Sequence, residues 1–243
     1  MPNSEQSKID RTNKAHILLT TLKVFVPVFV SADSDLSIPN FTAFLVLVDS
    51  ANEEVENTKS FFSLAVEKRR LDSSAAQLLT TQVINYVASN KSWKADLPRI
   101  KELANQVREI KPPRKTTPPP APQPGAPVPP PDKPRERGNG SYAEIAVRLK
   151  ALAAKVATLP GYAPDDDDIK AASLATLAAQ LATNNDAVET TDSDLDKAQR
   201  RRHELFDTPE TGLADKFQAI KKAVKGQYGQ SSTQFAQVKG MRW

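Results

Sequence analysis

The feature that most limits the possible folds is an internal repeat. Segments 17–70 and 150–203 superpose without a gap, and eleven of the 54 aligned positions are identical. The identical pairs include Pro27/Pro160, Asp33/Asp166, Asp35/Asp168, Asn52/Asn185 and Arg69/Arg202. A two-residue insertion then brings Leu78 onto Leu213, Trp93 onto Tyr228, Ile100 onto Phe235 and Leu103 onto Val238. Whatever one copy folds into, the other must be able to fold into as well. The reading is a tandem duplication, with homologous modules at 8–111 and 141–243.

Between the copies lies the run PPRKTTPPPAPQPGAPVPPPDKP, which holds twelve of the 19 prolines in the chain. Such a run lacks backbone donors and cannot bury a core, so 112–140 reads as a basic, polyproline-II-rich linker. A PxxP ligand is the other reading of the same residues. Arg114, Lys115, Lys133, Arg135 and Arg137 keep the run solvated.

Each module is organised around one long apolar seam. Leu174, Leu181, Val188 and Leu195 are seven apart, as are Leu177, Asn184, Thr191, Ala198 and Leu205. Phe41, Val48, Val55 and Phe62, with Phe44, Ala51, Thr58 and Ala65, repeat the pattern in the first module. Neither 165–207 nor 40–72 contains Gly or Pro. An a/d seam kept in phase over that length predicts one long helix per module. A break at Asn184-Asn185, and at Asn52, would give a hairpin and a four-helix bundle instead. A shorter helix, Tyr142–Thr158, precedes the long one in the second module. A last helix follows it, near Asp215–Val224 or Leu78–Ser89.

Val24–Val30 alone reads as a β-strand, being rich in β-branched and aromatic residues. Its repeat partner, Ala157–Ala163, ends a helix at Pro160-Gly161. By analogy Pro27 ends the first helix, with a short strand as the alternative. The fold class is therefore all-α: two tandem helical-bundle modules on heptad-patterned helices, joined by a proline-rich linker.

Composition removes many chemistries. There is no Cys, so disulfides, thiolate metal sites and a cysteine nucleophile are excluded. Only His16 and His203 are present, and they are not equivalent in the repeat. Asp165–Asp168 lack the alternating spacing, Gly turn and distal Glu of a calcium loop, and read instead as caps at a helix start. No catalytic, cofactor-binding or metal residues are identified, no cofactor is implied, and the chain reads as not an enzyme. No apolar run is long enough to span a bilayer. The apolar stretch Ile17–Val30 lacks a clean cleavage site, which points to a cytoplasmic protein without a signal peptide.

Net charge is +4, and the excess sits in 112–140; residues 141–243 carry 14 basic and 14 acidic groups. Neither module is thus a basic domain of the usual nucleic-acid type. Local clusters remain as candidate partner or polyanion contacts: Lys68, Arg69 and Arg70; Arg200, Arg201 and Arg202; Lys221, Lys222 and Lys225; and Trp243. Both Arg-rich clusters read first as cations placed near the C-terminal pole of a long helix, with a phosphate-contacting patch as the alternative.

The second module, through LPGYAPDDDDIKAASLATL, NNDAV, RRRHELFDTPETGL and KKAVKGQYGQSSTQFAQVKG, resembles an uncharacterised bacterial family of all-helical proteins with tandem modules. The resemblance covers about 141–240, and the first module lacks its GY and TGL elements. It implies a helical fold and a bacterial source, and no activity. The functional expectation is a structural or scaffolding protein that binds protein partners, or self-associates, through two similar surfaces. The alternative is a nucleic-acid-associated protein using the basic helix ends and the C-terminal tail.

Overall fold

From residue 40 to residue 89 the chain contains neither Gly nor Pro, and a computed structural model carries the whole stretch as one helix. The model describes residues 4–108 and 139–242. The proline-rich linker between them and Trp243 lie outside the described residues, apart from 139–140, which open a helix. Seven α-helices are present among the described residues: α1 (Ser4–Lys23), α2 (Ile38–Ser89), α3 (Leu97–Arg108), α4 (Asn139–Ala157), α5 (Ala171–Asp207), α6 (Leu213–Tyr228) and α7 (Thr233–Lys239). No strand occurs among them. The chain is all-α.

The entry to each long helix is built identically. Asp33 accepts a hydrogen bond from the Asp35 N–H at 2.9 Å, and Asp166 accepts one from the Asp168 N–H at 3.0 Å. Each of these acceptors caps a 3-10 turn, Ser34–Leu36 or Asp167–Ile169, whose last residue is buried. The long helix then begins at Ile38 or Ala171, again equivalent positions of the repeat. The Asp residues therefore cap the preceding turn rather than the long helix. A short side-chain oxygen at the residue before the turn satisfies an otherwise orphan N–H. Asp167 also pairs with Lys170, which holds its carboxyl below the usual range.

Helix α5 runs unbroken through Asn184-Asn185, so the hairpin alternative does not occur. Leu174, Leu181, Val188 and Ala198 are buried along it, as are Phe41, Val48, Ala51 and Val55 along α2.

Two expectations fail for local reasons. Helix α1 stops at Lys23, short of Pro27, and 24–30 is neither helix nor strand. The Val26–Pro27 bond is cis. Nor is Leu78–Ser89 a separate helix: it is the end of α2. The difference lies in a short breaker. After α5, Thr208-Pro209-Glu210-Thr211-Gly212 turns the chain, with Glu210 at φ 68° and its N–H donated to Asp215 Oδ2 at 2.7 Å. A Cβ on Gly212 would lie 2.7 Å from Thr208 O and 2.8 Å from Phe206 O, so the turn closes only around glycine. The first module has Ala75-Ala76-Gln77 there, and nothing interrupts the helix. As a result Leu78 is exposed while its repeat partner Leu213 is buried.

The described residues form two compact units. The first contains 1–62 and 191–243, and the second contains 63–190. These units cut across the modules 8–111 and 141–243 expected from the sequence. Each takes α2 residues from one module and α5 residues from the other.

In the first unit, Leu18 and Leu22 of α1, Phe41 and Leu45 of α2, and Phe206 of α5 share a core with Phe217, Ile220 and Val224 of α6. Phe25 lies edge-on to Tyr228 at 5.4 Å, and the Tyr228 hydroxyl donates to Pro27 O at 2.7 Å.

In the second unit, Leu149, Leu152 and Val156 of α4 pack with Ile100, Leu103 and Val107 of α3, Val83 and Val87 of α2, and Leu174 and Leu181 of α5. Asn184 Nδ2 donates to Asp72 Oδ2 at 2.6 Å, pairing the two long helices there. Trp93 Nε1 donates to Pro160 O at 3.0 Å. Thus the repeat partners Trp93 and Tyr228 each bind the carbonyl of a repeat-partner proline, and in each unit that proline comes from the other module.

Trp93, Tyr86 and Tyr162 form an aromatic cluster with centroids 5.4–5.7 Å apart. The Tyr162 hydroxyl donates to Ile169 O at 2.8 Å. Burial, with a smaller contribution from Tyr86, pushes the Tyr162 phenol from 10.0 up to about 12. A raised folded-state pKa favours the neutral phenol, so this contribution to stability is fully present below pH 10 and lost as pH rises through 12. Tyr162→Phe is expected to lower stability by about 1 kcal/mol at neutral pH, the worth of one hydrogen bond. It should also flatten the loss above pH 10, measured by urea unfolding at stepped pH; an unchanged slope would separate that loss from Tyr162.

Candidate interaction surfaces

The basic clusters fall in different compact units. Lys68, Arg69 and Arg70 belong to the second unit, whereas Arg200, Arg201, Arg202, Lys221, Lys222 and Lys225 belong to the first. Lys68–Arg70 lie in the interior of α2, not near its C-terminal pole, because α2 continues to Ser89. Their role as complements to a helix dipole therefore fails, since that effect fades within the last turn.

Most of the arginines are engaged within the chain. The Arg69 guanidinium stacks over the Tyr142 ring at 4.2 Å. Arg70 grips both oxygens of Glu67 at 2.6 and 2.9 Å, which holds the Glu67 carboxyl below its usual range. Arg201 Nη1 binds Glu54 Oε2 at 3.0 Å, and Arg200 lies 3.9 Å from Asp196. Arg202, the repeat partner of Arg69, is only 3% exposed. Lys221 donates to the Met241 and Lys239 carbonyls, closing the C-terminal end of α7. Lys68, Lys222 and Lys225 are exposed. The Lys225 ammonium lies 6.0 Å above Phe235.

The two histidines pair with carboxylates, His16 with Asp49 and His203 with Asp207. Among the described residues no group of three or more His, Asp or Glu is placed to hold a metal ion. No helix among them is long and apolar enough to cross a membrane.

Apolar surfaces are the more prominent feature. In the second unit, Leu64, Leu71 and Leu78 recur every seven residues on α2 and are 54–71% exposed. The last of them opens into a groove of about 590 Å³ between α2 and the start of α5. Ala75, Leu78 and Leu79 form one wall and Ala172, Thr176 and Leu177 the other, with Gln82 and Gln180 beside them.

The first unit has a groove at the matching place. Phe44 and Leu47 of α2 face Leu205 and Thr208 around a space of about 380 Å³, and Arg201 and Glu204 lie at its edge. Phe44/Leu177 and Leu47/Gln180 are repeat-equivalent pairs, so the start of each long helix lines the groove of its own unit. Sequence periodicity assigned the inward seam, but the outward leucines escaped it. A second heptad phase, at Leu64, Leu71 and Leu78, was the available signal.

No family model, curated protein or solved structure matches this chain.

Proposed function

We propose that this chain is a non-enzymatic scaffold whose two grooves each accept an apolar helix of a protein partner, or of a second copy. The observation that carries this reading is the recurrence of a groove at repeat-equivalent positions. An apolar stripe at helical spacing, bounded by Gln, Thr and a few charges, is the complement of an amphipathic helix. Two such sites on one chain raise apparent affinity for a repeated partner through effective concentration, without any new contact. The engagement of Arg70 and Arg201 by glutamates, and the burial of Arg202, weigh against the polyanion reading. Phosphate binding would have to displace those contacts.

Leu78→Arg in one groove and Leu47→Arg in the other test the reading. Both residues are at least half exposed, so melting temperatures should stay within about 2 °C of the parent, a surface substitution costing within about 0.5 kcal/mol. Crosslinking and sedimentation should then show partner capture or self-association falling for each single variant and vanishing for the double. Unchanged association in the double variant would refute the groove assignment. Retained, salt-sensitive binding to duplex DNA would favour the nucleic-acid alternative, because phosphate contacts weaken steeply with salt and apolar packing does not.

A further inference from the structure

We infer that residues 24–30, in the first unit, form a rigid element that docks on an anionic lipid surface. Val24, Val26, Val28 and Val30 are 68–80% exposed, whereas Phe25 and Phe29 are buried in the unit's core. Four valines are thus held out into solvent by two aromatic anchors, a costly arrangement unless something apolar covers them.

Part of the segment's backbone is already paired within the unit. Three consecutive carbonyls are already occupied by side chains: Val26 O by Gln234 Nε2 at 2.9 Å, Pro27 O by the Tyr228 hydroxyl at 2.7 Å and Val28 O by Gln227 Nε2 at 2.9 Å. The Gln227 oxygen accepts the Val30 N–H at 2.9 Å, and Pro27 has no N–H to satisfy. Each polar group paired internally lowers the cost of bringing a segment toward the acyl boundary. The same pairing disfavours strand addition by a protein partner, because the carbonyls that would recruit a strand are taken.

Charge selects the class of surface. Lys23 precedes Val24 directly. Lys225 is two residues from Gln227, and its ammonium lies over Phe235, the neighbour of Gln234. From Lys221 to Arg242 there are five cations and no acid. The acids nearest the valines in the chain, Asp33 and Asp35, are engaged, Asp33 as a turn cap and Asp35 at 3.8 Å from Lys216. Exposed apolar side chains next to lysines match an interface of anionic headgroups and acyl chains. Four small β-branched side chains without a pocket lack the large aromatic or Arg anchors on which specific protein interfaces depend.

The test is co-sedimentation of the full chain with vesicles of phosphatidylcholine alone and of phosphatidylcholine with phosphatidylserine. Binding is expected to the second kind only, and to weaken with salt. Val26→Asp/Val28→Asp should reduce partitioning at least about tenfold, as two apolar side chains are withheld from the acyl region. Lys225→Gln should reduce it about fivefold, the effect of one cation near an anionic surface. Both variants alter exposed side chains, so unchanged circular dichroism melts certify folding. Absent sedimentation, or equal sedimentation of parent and valine variant, overturns the assignment. Self-association lost in the valine variant, with no vesicle binding by the parent, would give the face to a second copy and also overturn it.

Discussion

Fragments 1–111 and 138–243 are expected to be poorly folded apart and to recover a cooperative helical melt when mixed. The repeat by itself predicts the opposite, since each fragment carries a whole apolar pattern. The packing decides otherwise. In the first unit Leu18, Leu22 and Phe41 are buried against Phe206, Phe217, Ile220 and Val224, and in the second Ile100, Leu103 and Val107 are buried against Ile145, Leu149 and Leu152. Each fragment alone would therefore present two half-cores to water. Fully burying a single large aliphatic side chain is worth about 1.5–3 kcal/mol, so losing a dozen such burials far exceeds the usual 5–15 kcal/mol of net stability. The measurement is ellipticity at 222 nm against temperature for each fragment and for the equimolar mixture. Two fragments that melt cooperatively on their own would show that each module can close its own core.

The second large effect concerns Leu181, 1% exposed on α5 within the second unit's core. Leu181→Asp removes a packed side chain and places a carboxylate in that apolar core. The combined cavity and desolvation costs give a loss of about 4 kcal/mol, on the order of 10 °C in melting temperature. Ala182→Asp makes the same carboxylate one residue later, where the side chain is exposed. There it should cost about 0.5 kcal/mol, the difference in helix propensity. Similar melting temperatures for the two variants would mean that the inward phase of α5 is misassigned.

Local chemistry was legible along much of the chain. The seven-residue recurrence from Leu174 to Leu205 and from Phe41 to Phe62 reads out as long helices because period and absence of breakers act within a few turns. The basic clusters were legible only as composition. Whether Arg70 faces Glu67, Arg201 faces Glu54 or Arg202 is buried depends on side-chain directions that charge runs do not encode. Val24–Val30 misled for a related reason: β-branched and aromatic composition suggests strand or core, yet only Phe25 and Phe29 turn inward.

What the sequence determined by itself is everything governed by neighbours in the chain. It specified two long helices without breakers across 40–72 and 165–207, and Asp residues acting as caps just ahead of each. What only the tertiary structure decided is which half of which copy packs together. Segments with the same apolar phase, as in 40–72 and 165–207, can pack on one another in more than one way, so periodicity alone cannot choose the partners. The choice is made at long range, by the fit of side chains that differ between the copies. Trp93 meets Tyr162 and the Pro160 carbonyl, and Tyr228 meets Phe25 and the Pro27 carbonyl. Burial energy depends on the total apolar area removed from water, but specificity depends on shape and hydrogen bonds, and these exist only once the helices have met.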